Sequence, residues 1–84
     1  MYIIKTHYEA TANNPNFAGE TRDYYYGKAR HLIGSDNFPT NFSIKNYGYA
    51  TLSAAKRGLK KAIELANWET EKGYWSVTVD LVEV

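Results

Sequence analysis

The groups with which this chain could do chemistry are few. It has two imidazoles, His7 and His31, and no cysteine, so a thiolate nucleophile, a disulfide framework and a cysteine metal site are all excluded. His7 and His31 fall on the less apolar alternation of two expected strands, so they could meet as a general acid and base. Phosphodiesterases with paired His-x-Thr/Ser signatures work this way, but His7 is followed by Tyr8-Glu9 and His31 by Leu32-Ile33. A small phosphodiesterase or nuclease using His7 and His31 is therefore only the second alternative. Ser35, Ser43, Ser53 and Ser76 stand in no Gly-x-Ser-x-Gly setting. The carboxylates are scattered singly, with no D-x-D or E-x-x-H spacing for a metal; a nuclease set of Asp23, Asp80 and Lys28 would have to be assembled from distant segments. No glycine-rich phosphate loop precedes a helix, since Asn46-Tyr47-Gly48-Tyr49-Ala50 has one glycine and no lysine. No cofactor is expected, and the chain reads as a binding protein rather than an enzyme.

Two constellations point to binding. The first is Asp23-Tyr24-Tyr25-Tyr26-Gly27-Lys28-Ala29-Arg30-His31, in which rings and cations alternate on a strand. If Tyr24 and Tyr26 face the core, Tyr25 looks outward; the reverse choice exposes Tyr24, Tyr26, Lys28 and Arg30 together. Interleaved rings and cations are how proteins stack bases while neutralising phosphates. The second is Lys56, Arg57, Lys60 and Lys61, four cations within two turns of a helix on a chain of net charge +1. A phosphate group or an acidic protein surface would suit such a patch. The competing reading is a solvated outer face with a Lys60–Glu64 pair. Free N–H groups at the start of that helix could also hold an anion beside Tyr47 and Tyr49. The candidate contact residues are therefore Tyr25, Lys28, Arg30, Tyr49, Lys56, Arg57, Lys60 and Lys61, with the Ala10–Thr21 loop as a second contact region.

These groups need elements to position them. Leu52, Ala55, Leu59, Ala62, Ile63 and Ala66 recur at steps of three and four, which predicts a helix near Thr51–Trp68 with Thr51 as its N-cap. Gly58 in its interior costs about 1 kcal/mol against alanine, so either the helix tolerates it or something packs close to the backbone there. Trp75, Val77, Val79 and Leu81 alternate with Ser76, Thr78 and Asp80 and predict a half-buried last strand. Tyr2–Glu9 reads as a first strand, Arg22–Ile33 as a long second one in which Gly27 marks a bulge or a close approach of another backbone, and Asn41–Tyr47 as a short third. The expected fold is one α+β domain over residues 1–84. It has a mainly antiparallel sheet of about four strands in the order β-β-β-α-β, with one amphipathic helix packed on one face.

Eighty-four residues with eight Tyr, three Phe and two Trp carry more rings than a small core uses, which favours a contact surface or a homodimer. Trp68 and Trp75 flank a polar turn; either, if exposed beside Tyr74, would serve as an anchor for a partner. Met1-Tyr2-Ile3-Ile4-Lys5 lacks the basic and long apolar stretches of a signal peptide, and no segment approaches a membrane span, so a cytoplasmic location without membrane contact is expected.

The build of the chain and the segment Tyr49-Ala50-Thr51-Leu52-Ser53-Ala54-Ala55-Lys56-Arg57, an aromatic-capped entry into an Ala/Lys helix, resemble small anti-defence proteins of bacteriophages and mobile elements, the anti-CRISPR type among them. That resemblance implies a non-enzymatic inhibitor in the host cytoplasm. Its partner would be a host effector protein whose nucleic-acid-binding surface it occludes, or an anionic nucleotide ligand that it sequesters. It assigns a role to no individual residue. The alternative expectation is a module that binds nucleic acid directly, with an affinity that falls steeply with salt.

Overall fold

The computed structural model describes residues 1–27, 32–34 and 39–84. It contains β1 (Tyr2–Ala10), β2 (Thr21–Tyr26), β3 (Leu32–Gly34), α1 (Asn41–Tyr47), α2 (Leu52–Glu71) and β4 (Trp75–Glu83). The class is α+β with an antiparallel sheet. Its body is three long strands, with β1 in the middle between β2 and β4, and the three-residue β3 is paired along the outer side of β2.

Two expected elements are corrected. Arg22–Ile33 is not one strand: the chain reverses after Tyr26, and Leu32–Gly34 return antiparallel, with Tyr26 opposite Leu32 and Tyr24 opposite Gly34. Asn41–Tyr47 is a helix, so the element order is β-β-β-α-α-β. The cause is local. Thr40 Oγ1 accepts from the Ser43 N–H at 3.2 Å, and Ser43 Oγ accepts from the Thr40 N–H at 2.8 Å. This reciprocal cap satisfies N-terminal donors that a strand would have to bond elsewhere. Phe42 and Ile44, placed on one strand face by alternation, part company in the helix: Phe42 is exposed and Ile44 half-buried.

Strand alternation divides the sheet into two faces. The register sets Ile4 opposite Leu81, Thr6 opposite Val79 and Tyr24, and Tyr8 opposite Val77 and Arg22. These residues, with Tyr26, look toward α2. Thr51 caps that helix as expected, its Oγ1 accepting from the Ala54 N–H at 3.2 Å. The stripe turned inward is Ala55, Gly58, Ala62 and Ala66; Leu59 is half-buried, while the expected core residues Leu52 and Ile63 lie exposed at its margins. A face of small residues brings the helix down onto the sheet, and rings from below fill the space: Ile4, Tyr26 and Tyr49 cluster with Ala55 and Ala62.

The other face is polar except at one end. Ile3 is fully buried there, and Tyr25 (1 % exposed) stacks on Tyr47 of α1 at 6.1 Å. The Ala10–Thr21 segment is tied to the rest of the fold. Buried Asn14 accepts from the Asn16 and Phe17 N–H groups at 3.2 and 3.0 Å and donates to the Tyr74 carbonyl at 3.1 Å. The Thr11 hydroxyl bonds the Gly73 carbonyl.

Gly58 is explained by a close approach. A Cβ there would stand 2.5 Å from the Tyr49 hydroxyl oxygen, 2.7 Å from its Cζ and 3.1 Å from Ile4 Cδ1. Gly58→Ala gains helix propensity of roughly 1 kcal/mol but overpacks against a rigid ring at a cost of about 1–3 kcal/mol. A lower urea midpoint with an unchanged m-value is the expected result. A stabilised Gly58→Ala variant would show that the ring gives way.

Candidate functional site

α2 lies over β4 and β1 and barely reaches β2. This off-centre seat follows from its contacts, which include the Val77 N–H donating to Thr70 Oγ1 at 3.2 Å. Two clefts line the seam left between α2 and β2. On the helix side Arg57 and Lys61 line the first cleft and Glu69 the second.

The first cleft, of about 340 Å³, is lined by Tyr26, Gly27, Tyr49, Ala54, Arg57, Gly58 and Lys61. Its floor is aromatic. Tyr49 is 7 % exposed, its hydroxyl donates to the Tyr26 carbonyl at 3.4 Å, and burial, then the neighbouring Tyr26, raises its pKa. Its rim is cationic. Arg57 and Lys61 are exposed, and among the described residues neither has an ion-pair partner.

The second cleft, of about 280 Å³, is lined by Tyr8, Arg22, Tyr24, Glu69 and Trp75. Tyr8 meets Tyr24 edge-on at 5.3 Å and Trp75 at 5.9 Å. The Arg22 guanidinium lies 4.6 Å from the Phe17 ring and 5.2 Å from the Trp75 ring, and its Nη2 is 3.6 Å from Glu20. Burial, followed by the charge of Glu69 and by Tyr24, pushes the Tyr8 hydroxyl up to about 12, so it stays protonated at any physiological pH.

The expected contact residues separate. Arg57, Lys61 and Tyr49 come together in the first cleft. Lys56 and Lys60 are exposed on α2 but do not line it, and the Lys60–Glu64 pair does not form. Tyr25 is corrected: it does point away from α2, but Tyr47 covers it, so it offers no open contact surface. Tyr47 is thereby drawn to the opposite face from Tyr49. Lys28, Arg30 and His31 lie outside the described residues. Sequence reasoning missed Arg22, Glu69 and Tyr8, because nothing in their spacing tells that two strands and a helix end converge there. Of the two tryptophans, Trp75 joins the second cleft, while Trp68 is 54 % exposed under the Lys72 ammonium, 3.3 Å from its ring centre.

His7 lies on the face away from both clefts. Its Nδ1 contacts Asp23 at 2.7 Å and its Nε2 contacts Glu9 at 3.2 Å. Carboxylates only accept, so both nitrogens are satisfied at once only in the imidazolium. Asp23 is thus engaged with His7, and among the described residues no group of three acidic or imidazole side chains could hold a metal ion. No helix among them is long and apolar enough to cross a membrane. Comparison with protein-family models, curated proteins and solved structures finds no match to this chain.

The bonds to Asp23, then Glu9, raise the His7 pKa above its ordinary 6.5. A raised folded-state pKa contributes stability that is complete below the unfolded value and is lost as pH rises through the folded one. The imidazole is 39 % exposed, so solvent screening keeps the effect small. An NMR titration should place His7 above 6.5, and Asp23→Asn should lower it and flatten that limb of the stability profile. Titration of His7 at or below its ordinary value would contradict the assignment.

Proposed function

We propose that this chain is a non-enzymatic binding protein that takes an anionic, phosphate-bearing nucleotide into the cleft between α2 and β2. The observation that carries the reading is the pairing of Arg57 and Lys61 on the rim of an open aromatic cleft, with no carboxylate on either among the described residues. Two neighbouring cations without a counter-charge repel each other, and a phosphate relieves that repulsion while accepting charge-assisted hydrogen bonds from both. Arg57 supplies a planar fork of donors and Lys61 a mobile point charge.

In the setting implied by the resemblance to phage anti-defence proteins, holding such a nucleotide removes a messenger from a host response. The rival readings place the same cations on a nucleic acid or on a host effector's surface, and each leaves a different signature. Catalysis by a histidine pair draws no support from this cleft, since His7 stands on the opposite side of the sheet.

Calorimetric titration with pyrophosphate tests the reading. Arg57→Ala and Lys61→Ala should each weaken binding about tenfold, the loss expected for a charge-assisted bond. Lys56→Ala and Lys60→Ala, outside the cleft, should change it by no more than about twofold, through screened long-range charge alone. Ligand recovered after incubation should be chemically unchanged. Equal losses from all four substitutions would point to a diffuse polyanion surface, and steady turnover would end the non-enzymatic reading.

A further inference from the structure

We propose that the second cleft recognises the base of the ligand whose phosphates Arg57 and Lys61 hold, and that the base is guanine. This rests on the nucleotide reading of the first cleft and extends it along the same seam.

Three observations carry it. The first is an unused buried group. Tyr8, only 6 % exposed, lines the cleft, and among the described residues nothing hydrogen-bonds to its hydroxyl. A hydroxyl with no protein partner beside a cleft can donate to or accept from a ligand that enters there. The second is the chemistry of the remaining lining. Trp75, Tyr24 and Arg22 line the cleft with groups of the kind on which bases stack, although Phe17 and Arg22 already lie against Trp75. Glu69, whose side chain is 19 % exposed, offers a carboxylate that only accepts, and Lys72 approaches its Oε1 at 3.5 Å. Guanine presents adjacent N1–H and N2–H donors that match a carboxylate bidentately. Adenine places the N1 acceptor in that position, against the negative charge. The third is spacing: Lys61 and Glu69 stand about 12 Å apart along the axis of α2, comparable to one extended nucleotide from phosphate to base edge.

A simple cation is the other occupant that an aromatic cleft with a carboxylate suggests. Arg22 argues against it, because its guanidinium already lies against Trp75 and would repel a second positive charge.

The experiment is calorimetric titration of the full chain with GDP, ADP and pyrophosphate, for the wild type and for Glu69→Gln and Tyr8→Phe. The wild type should bind GDP about tenfold or more tightly than ADP, the discrimination expected of one good bidentate contact. Glu69→Gln should bring GDP to the level of ADP while leaving pyrophosphate unchanged, and Tyr8→Phe should weaken GDP about fivefold with pyrophosphate again unchanged. Circular dichroism and thermal melts establish that both variants are folded; if Tyr8→Phe does not fold, Glu69→Gln decides. Pyrophosphate binding with GDP no tighter than ADP overturns the base assignment and leaves the phosphate cleft standing. Binding of neither pyrophosphate nor GDP overturns both. Competition by tetramethylammonium, with no preference for GDP, assigns the cleft to a cation instead.

Discussion

At Gly58 the backbone of α2 comes down onto the Tyr49 ring, and Ile4 of the central strand closes the contact from below. The rest of the arrangement follows from this approach. Alanines at 55, 62 and 66 continue the small face, so the helix sits low, and side-chain volume comes from the sheet and the α1–α2 connection. Buried rings remove roughly 150–250 Å² each from water, far more than an alanine stripe can. In a domain of this size such a trade keeps the core apolar while leaving few long aliphatic side chains to compete for it.

A helix seated low on β1 and β4 cannot also cover β2. That strand carries Arg22, Tyr24 and Tyr26 on the same face as the helix; only Tyr26 is buried against the alanines of α2, and aromatic clefts open beside it. Packing economy and the candidate site are thus two consequences of one geometry. Cations without an ion-pair partner among the described residues, Arg57 and Lys61, stand at one end, while at the other Glu69 has Lys72 at 3.5 Å and shares its cleft with Arg22. The opposite face keeps its own neutralised group, His7 between Asp23 and Glu9. A net charge of +1 conceals this separation, because it sums over both faces.

Much of this was legible from residue order. The three- and four-residue steps from Leu52 to Ala66 and the alternation from Trp75 to Leu81 mark the helix and the strand and, through Ala55, Ala62 and Ala66, most of the helix's buried side, though Leu52 and Ile63 fall outside it; Thr51 marks the helix start by its own side-chain bond. Less legible were elements decided by a single local bond. The Thr40–Ser43 cap turns an apparently alternating segment into a helix, and the reversal after Tyr26 breaks a run that reads as one long strand.

By itself, then, the sequence determined the class of fold, the long helix and its cap, the first and last strands, and the presence of four helix cations. Local periodicity and capping depend on neighbours a few residues apart, which the chain order contains. Only the tertiary structure decided that Arg57 and Lys61 share a cleft while Lys56 and Lys60 do not. It alone covered Tyr25 with Tyr47 and brought Tyr8, Arg22, Glu69 and Trp75 into one cleft. Those outcomes depend on where a helix seats sideways on a sheet, and that position is set by the sizes of residues meeting across it from distant parts of the chain.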